Sequence, residues 1–170
     1  MALNSAVLTA FNEQINKEFY SAYLYLAMSN YFSDCGLDGM ANWMKMQYKE
    51  ETFHAMKLID YVYTRRACVT LESISKPQAG WKSALDVFES ALAHEEYVTK
   101  SINDLIKVCR DNGDVTSETF LFWFVNEQIE EEANTDEICN KLKIISDGCS
   151  LYALDRELAQ RTFTEPSDNE

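Results

Sequence analysis

The chain is poor in the residues that interrupt regular structure. Five glycines and two prolines serve 170 residues. A β-rich domain needs many turns, so this scarcity favours few, long elements, most simply helices. Positive charge is also in deficit. Fifteen basic residues face 28 acidic ones, for a formal net charge of -13. Such a surface repels phosphates and excludes a nucleic-acid partner. It suits a protein that attracts cations, although solubility alone accounts for it equally well. The five cysteines, Cys35, Cys68, Cys109, Cys139 and Cys149, are odd in number and form no CxxC pair. That excludes a disulfide framework and a structural zinc site, and makes reduced thiols the default. No apolar run approaches the roughly 20 residues of a membrane span. The first ten residues lack a basic flank and an apolar signal core. A soluble, cytoplasmic protein with no membrane partner is therefore expected. The length fits one domain, and a hydrophobic share of 46 % can fill a sizeable core.

Helical periodicity is present in four long segments. The first runs from about Asn4 to Phe32, with Leu8, Phe11, Ile15, Ala22, Tyr25 and Phe32 on one face. Asp34-Cys35-Gly36 ends it. The second runs from about Asp38 to Thr64, preceded by Leu37 and carrying Ala41, Met44, Tyr48, Ala55, Leu58 and Val62. The third runs from about Lys82 to Cys109, with Leu85, Phe88, Leu92, Val98, Ile102 and Ile106. Asp111-Asn112-Gly113-Asp114 is a turn signal. The fourth runs from about Thr116 to Ile145, with Leu121, Phe124, Ile138, Leu142 and Ile145. A short fifth helix is expected from Ser150 to about Arg161, presenting Leu151, Leu154 and Leu158. Helices one and two are joined by about five residues and must be antiparallel neighbours, as must three and four. The weakly periodic stretch between Arg65 and Trp81 is longer than ordinary loops. It can run the length of a bundle and make helices two and three parallel. The reading is all-α, a four-helix bundle with one long crossover and a short fifth C-terminal helix. The domain is expected over 1–163, with a disordered polar tail over 164–170.

The stripes have gaps. Glu18 fills the one in helix one, Glu51 the one in helix two and Glu95 the one in helix three. Gln128 and Glu131 interrupt helix four before Ile138. Each break lies near mid-helix, so antiparallel packing brings them to one level of the core. Burying an isolated carboxylate costs several kcal/mol or more unless it is paired or metal-bound. No lysine or arginine stands on these stripe positions. Either the acids keep their protons or a cation neutralises them. His54 lies three residues after Glu51, on the same helical face, and Glu plus His is a ligand pair for a first-row metal. Three carboxylates nearly balance two divalent cations, the charge logic of a di-iron site. A single acidic break would read as a misplaced stripe; four at one level with a histidine favour metal. His94 points about 100° away from Glu95 and reads as a surface residue.

The segments Asn12-Glu13-Gln14-Ile15-Asn16-Lys17-Glu18, Glu50-Glu51-Thr52-Phe53-His54, His94-Glu95 and Asn126-Glu127-Gln128-Ile129-Glu130-Glu131 resemble the ferroxidase motifs of bacterial-type non-haem ferritins. The resemblance covers nearly the whole chain and implies a ferritin-like bundle. It implies a first iron held by Glu18, Glu51 and His54, with Glu51 bridging. Glu51, Glu95 and, more weakly, Gln128 would surround the second. Glu50, Glu127, Glu130 and Glu131 match a third, inner iron site; helical spacing puts Glu127, Glu130 and Glu131 on one face, where a solvated acidic face is the competing explanation. Tyr25 matches a tyrosine beside the di-iron site, a candidate one-electron donor, and Trp123 is a weaker one that packing explains equally well. Fe(II) would be oxidised by O2 or H2O2 and stored as ferric mineral in a 24-subunit homo-oligomer. Asp114 and Glu118 are candidate channel residues by the same resemblance.

Departures narrow the family. Symmetric di-iron proteins carry a second Glu-x-x-His where this chain has Glu127-Gln128-Ile129-Glu130. Haem bacterioferritins place a haem-ligating Met where this chain has Thr52-Phe53, so no haem is expected, with Met44, Met46 and Met56 remaining. The rival readings are a non-storage di-iron oxidase or peroxidase and a silent shell subunit. The intact ligand set argues against the silent subunit.

Overall fold

The computed structural model describes residues 3–165 and is built from five helices. Helix α1 spans Ser5–Asp34, α2 Asp38–Thr64, α3 Ala84–Asp111, α4 Val115–Ile144 and α5 Gly148–Leu158. Four of the five starts carry a side-chain cap. Asn4 accepts from Ala6 N, Ser83 from Asp86 N, Asp114 from Ser117 N, and Asp147 from Cys149 N and Ser150 N. Each satisfies an amide that the first turn leaves without an intrahelical partner. The start of α2 at Leu37 has no cap of its own. The Asp155 carboxylate on α5 supplies it from across the chain, accepting from Met40 N at 2.8 Å. Gly39 permits that approach. A Cβ there would stand 1.7 Å from the Asp155 carbonyl oxygen. The turns after α1 and α3 end in Gly36 (φ +72°) and Gly113 (φ +68°), a backbone region open mainly to glycine.

The segment between α2 and α3 travels along α1. Thr70 N donates to Asn12 Oδ1 at 3.2 Å, and Asn16 Nδ2 donates to the carbonyls of Glu72 and Ser73. Lys76 to Ala79 then border a small cavity with Tyr23, Leu26, Ala27 and Asn30. Trp81 finally meets Tyr31 with ring centroids 5.5 Å apart. The crossover thus returns the chain from one end of the bundle to the other. It makes α3 run parallel to α2, as the loop lengths anticipate. The all-α bundle with one long crossover and a short fifth helix is therefore present. Helix ends fall within two or three residues of the periodicity, which frayed turns allow. The expected disordered tail over 164–170 lies outside the described residues from 166 onward.

The core is divided in two. One cluster contains Leu24, Tyr25, Met28, Phe32, Met40, Met44, Phe88, Ala91, Ile138 and Leu142. The other contains Phe11, Ile15, Leu58, Val62, Val98, Ile102, Leu121 and Phe124. On every long helix the residues between the two clusters are the stripe breaks: Glu18, Glu51 with His54, Glu95, and Gln128 with Glu131. A polar layer is closed off by apolar packing above and below.

Candidate metal centre

Each long helix contributes to this layer from its middle. Glu18, Glu51, His54, Glu95, Gln128 and Glu131 are all at most 3 % exposed. One carboxylate oxygen each from Glu18 and Glu51 and a ring nitrogen of His54 lie within 4.8 Å of one another. Glu51 Oε2 is 3.6 Å from His54 Nδ1. Glu95 lies beside them, held from two sides: the Tyr25 hydroxyl donates to Oε1, and Gln128 Nε2 donates to Oε2 at 3.1 Å. Gln14 Nε2 donates to Glu18 Oε1 at 2.8 Å, and Gln47 Nε2 to Glu131 Oε2 at 2.7 Å.

The remaining polar atoms have nothing to bind. Among the described residues, eight buried side-chain nitrogen or oxygen atoms lack a hydrogen-bond partner. Four of these are Glu18 Oε2, both Glu51 oxygens and His54 Nε2. Such orphans are rare in native interiors and costly, and the three residues that carry them offer ligand atoms within 4.8 Å of one another, a spacing that suits a cation. Burial raises the pKa of Glu51 well above the carboxylate range, and the charges of Glu95, Glu18 and Glu131 push it further. Glu18 and Glu131 are raised by burial too, and Glu95 reaches about 7. Burial lowers His54 to about 3, so its imidazole is neutral, the form that ligates metal. Trp123 and Phe124 pack edge-on against that ring at 5.5 and 5.8 Å. Tyr25 is fully buried, and its phenol is held well above 10 by burial and by Glu95. Hard oxygen donors with one imidazole fit a borderline first-row cation such as iron.

The inner acidic residues are less tightly grouped. Glu50 pairs with Arg161 at 2.7 Å. Burial raises the pKa of Glu127, as do Glu130 and Glu50 next to it. Glu130 itself is exposed and Glu131 is turned into the core towards Gln47. These four do not share the close ligand spacing of Glu18, Glu51 and His54. Asp114 pairs with Arg65 at 3.0 Å and Glu118 with Arg110, so both channel candidates are engaged within the chain.

One sequence reading needs correction. His94 is not a surface residue. Its Nε2 lies 2.7 Å from Ser21 Oγ on α1, and Tyr20, Tyr25 and Tyr97 pack around the ring. Burial lowers its pKa to about 4. The 100° offset from Glu95 turns it into the α1–α3 contact, because a helix packed on two neighbours has more than one covered face. The sequence reading also missed Gln14, Gln47 and Arg161. A usable signal existed for the glutamines: each stands four residues before a candidate ligand, one helical turn away on the same face. Nothing local marks Arg161.

The family model described as "Ferritin-like domain" matches residues 8–145. Bacterial non-heme ferritin of Campylobacter jejuni is 41 % identical over 155 residues, covering 91 % of this chain and 93 % of that protein. The Staphylococcus epidermidis protein of the same description is 38 % identical over 164 residues, covering 96 % and 99 %. Among solved structures, an open pore ferritin from Archaeoglobus fulgidus superposes with a TM-score of 0.93 at 42 % identity, covering 95 % of this chain and all of that one. An engineered closed form of the A. fulgidus protein gives 0.95 at 43 %, with 96 % of this chain covered. With its crossover bundle, its buried mid-helix carboxylates and these relatives along nearly its whole length, the chain belongs to the ferritin family, among the bacterial-type non-haem ferritins.

Proposed function

We propose that this protein is an iron-storage ferroxidase, taking Fe(II) as substrate at the polar layer and retaining the ferric product inside a homo-oligomeric cage of 24 subunits. The observation that carries the reading is the buried Glu18, Glu51 and His54 cluster, whose three ligand atoms lie within 4.8 Å of one another and which holds four of the buried polar atoms without a hydrogen-bond partner. Glu18, Glu51 and His54 hold the first Fe(II), and Glu51, Glu95 and Gln128 surround the second, with Glu51 bridging. The protein's share of the chemistry is positional and electrostatic. It fixes two reducing ions side by side, so that O2 or H2O2 can accept two electrons at one encounter. Negative ligands favour the ferric product over the ferrous substrate. Gln128 contributes a neutral amide oxygen, a weak ligand that lets the product leave. Tyr25, hydrogen-bonded to Glu95, is placed to give or relay an electron with its proton passing to that carboxylate. Glu50, Glu127, Glu130 and Glu131 are the candidate ligands of an inner third site, more widely spaced than those of the paired one. No helix among the described residues is long and apolar enough to cross a membrane. Five unpaired thiols accord with a reducing, cytoplasmic setting.

Sedimentation velocity before and after aerobic loading with Fe(II) tests the storage reading. A very large particle that grows heavier without growing in radius is the expected result. A dimer or tetramer whose sedimentation barely changes would overturn it in favour of a non-storage di-iron oxidase.

A further inference from the structure

The chain does not stop at α5. Residues 159–163 fold back across α2 and are fastened to it at three points. Asn42 Nδ2 donates to the carbonyls of Ala159 at 3.3 Å and Arg161 at 3.0 Å. The Arg161 guanidinium lies over the Trp43 ring, 4.3 Å from its centroid. The Phe163 ring packs at 6.2 Å from Phe53, the residue before His54. These contacts aim Arg161 Nη2 at Glu50 Oε2, 2.7 Å away, with both side chains 20 % exposed. Arg161 Nη1 is buried there without a partner. The strap therefore delivers a fixed positive charge into the inner carboxylate group. Glu50 lies near Glu130, Glu127 and Glu131 closely enough to raise or be raised by each.

We propose that Arg161 is a built-in counter-cation of the inner acidic cluster, and that its guanidinium and a divalent metal ion exclude one another at Glu50. The inference rests on the reading of Glu50 as a ligand of the inner site. A carboxylate oxygen that accepts a charge-assisted hydrogen bond from Arg161 is a weaker donor to a second cation. An ion at coordination distance from that oxygen would also stand against the guanidinium, with like charges in a half-buried setting. Metal occupancy thus competes with the strap for Glu50, and strap docking weakens the site by the same factor that metal weakens docking. Among the described residues, no guanidinium or ammonium pairs with Glu18, Glu51 or Glu95 of the paired site. The two sites are therefore graded: the paired site fills first, and the inner one opens only when metal is abundant.

The test uses the assembled full-length protein and Zn2+, a redox-inert probe. Calorimetric titration counts zinc ions per subunit in the wild type, Arg161→Gln and Arg161→Lys. Hydrogen exchange follows the backbone amides of residues 161–163. The expected result is unchanged filling of the paired site in all three, with a further zinc bound about tenfold more tightly in Arg161→Gln. Arg161→Lys, which keeps the charge, should stay near the wild type. Excess zinc should speed exchange in the wild-type strap. Equal affinity for the further zinc in all three proteins, or equal tightening in Gln and Lys, overturns the exclusion while leaving the paired site standing. Absence of tight zinc at the paired site in the wild type would instead overturn the ferroxidase reading and this inference with it.

Discussion

Replacing Glu51 with methionine should stabilise the metal-free protein, the reverse of the usual core substitution. Glu51 is 1 % exposed, and its carboxylate oxygens have no partner beyond the neighbouring Glu18 carboxyl, with which it can share a proton. Three other buried carboxylates surround it. A buried polar group left unsatisfied costs about 1–3 kcal/mol, and more when charged. Methionine has similar length and flexibility, so repacking should cost less than about 1.5 kcal/mol. The difference leaves a gain of about 1 kcal/mol. For a chain of this size the guanidinium m-value is on the order of 5 kcal/mol per molar, so the midpoint in EDTA should rise by about 0.2 M. Zinc should then separate the two proteins in the other direction. At a hundred times its Kd a ligand adds about 2.7 kcal/mol to the native state, a gain open to the wild type and closed to Glu51→Met. Initial Fe(II) oxidation should fall to the uncatalysed rate. Helical circular dichroism against guanidinium, with EDTA or with zinc, measures both effects. A lower midpoint for Glu51→Met in EDTA would refute the reasoning, because it would mean the carboxylate is satisfied in the metal-free state.

Glu95→Gln isolates one titration. Glu95 is raised to about 7 in the folded protein, from 4.5. The folded state then binds the proton more tightly than the unfolded state, so wild-type stability declines as pH rises from about 4.5 through 7. Metal-free Glu95→Gln should match the wild type at the acid end and exceed it above pH 7, and a constant difference across that range would contradict the shift. Tyr25→Phe removes the donor to Glu95 and the candidate electron relay. Stopped-flow oxidation should slow several-fold while the number of zinc ions bound stays the same; an unchanged rate would exclude Tyr25 from the chemistry. Gly39→Ala should detach α5, since the new methyl meets the Asp155 backbone at 1.7 Å. Overpacking of this kind costs about 1–3 kcal/mol, and size-exclusion chromatography should show lost or altered assembly. Arg65→Ala breaks the pair with Asp114 that fastens the end of α2 to the start of α4. A loss of about 2 kcal/mol is expected for a half-buried, charge-assisted pair, read as a lower guanidinium midpoint.

What the sequence determined by itself is what depends on spacing within a helix. Period 3.6 located all five helices, and the stripe breaks at Glu18, Glu51, Glu95 and Gln128 marked the polar layer, because each helix presents one face to the core. Glu51 and His54 were legible as a pair because three residues bring side chains to the same face. The length of the crossover fixed the parallel course of α2 and α3. Tertiary structure alone decided what crosses between distant segments. His94 is covered by Ser21 of α1, although its own helix turns it away from Glu95. Asp155 caps a helix that starts more than a hundred residues earlier. Arg161 reaches Glu50 across 111 positions of sequence. Such contacts leave no periodic trace, since their partners are brought together by packing and not by the repeat of either helix. The residues of the buried polar layer could therefore be read from the chain, and the guanidinium paired with Glu50 could not.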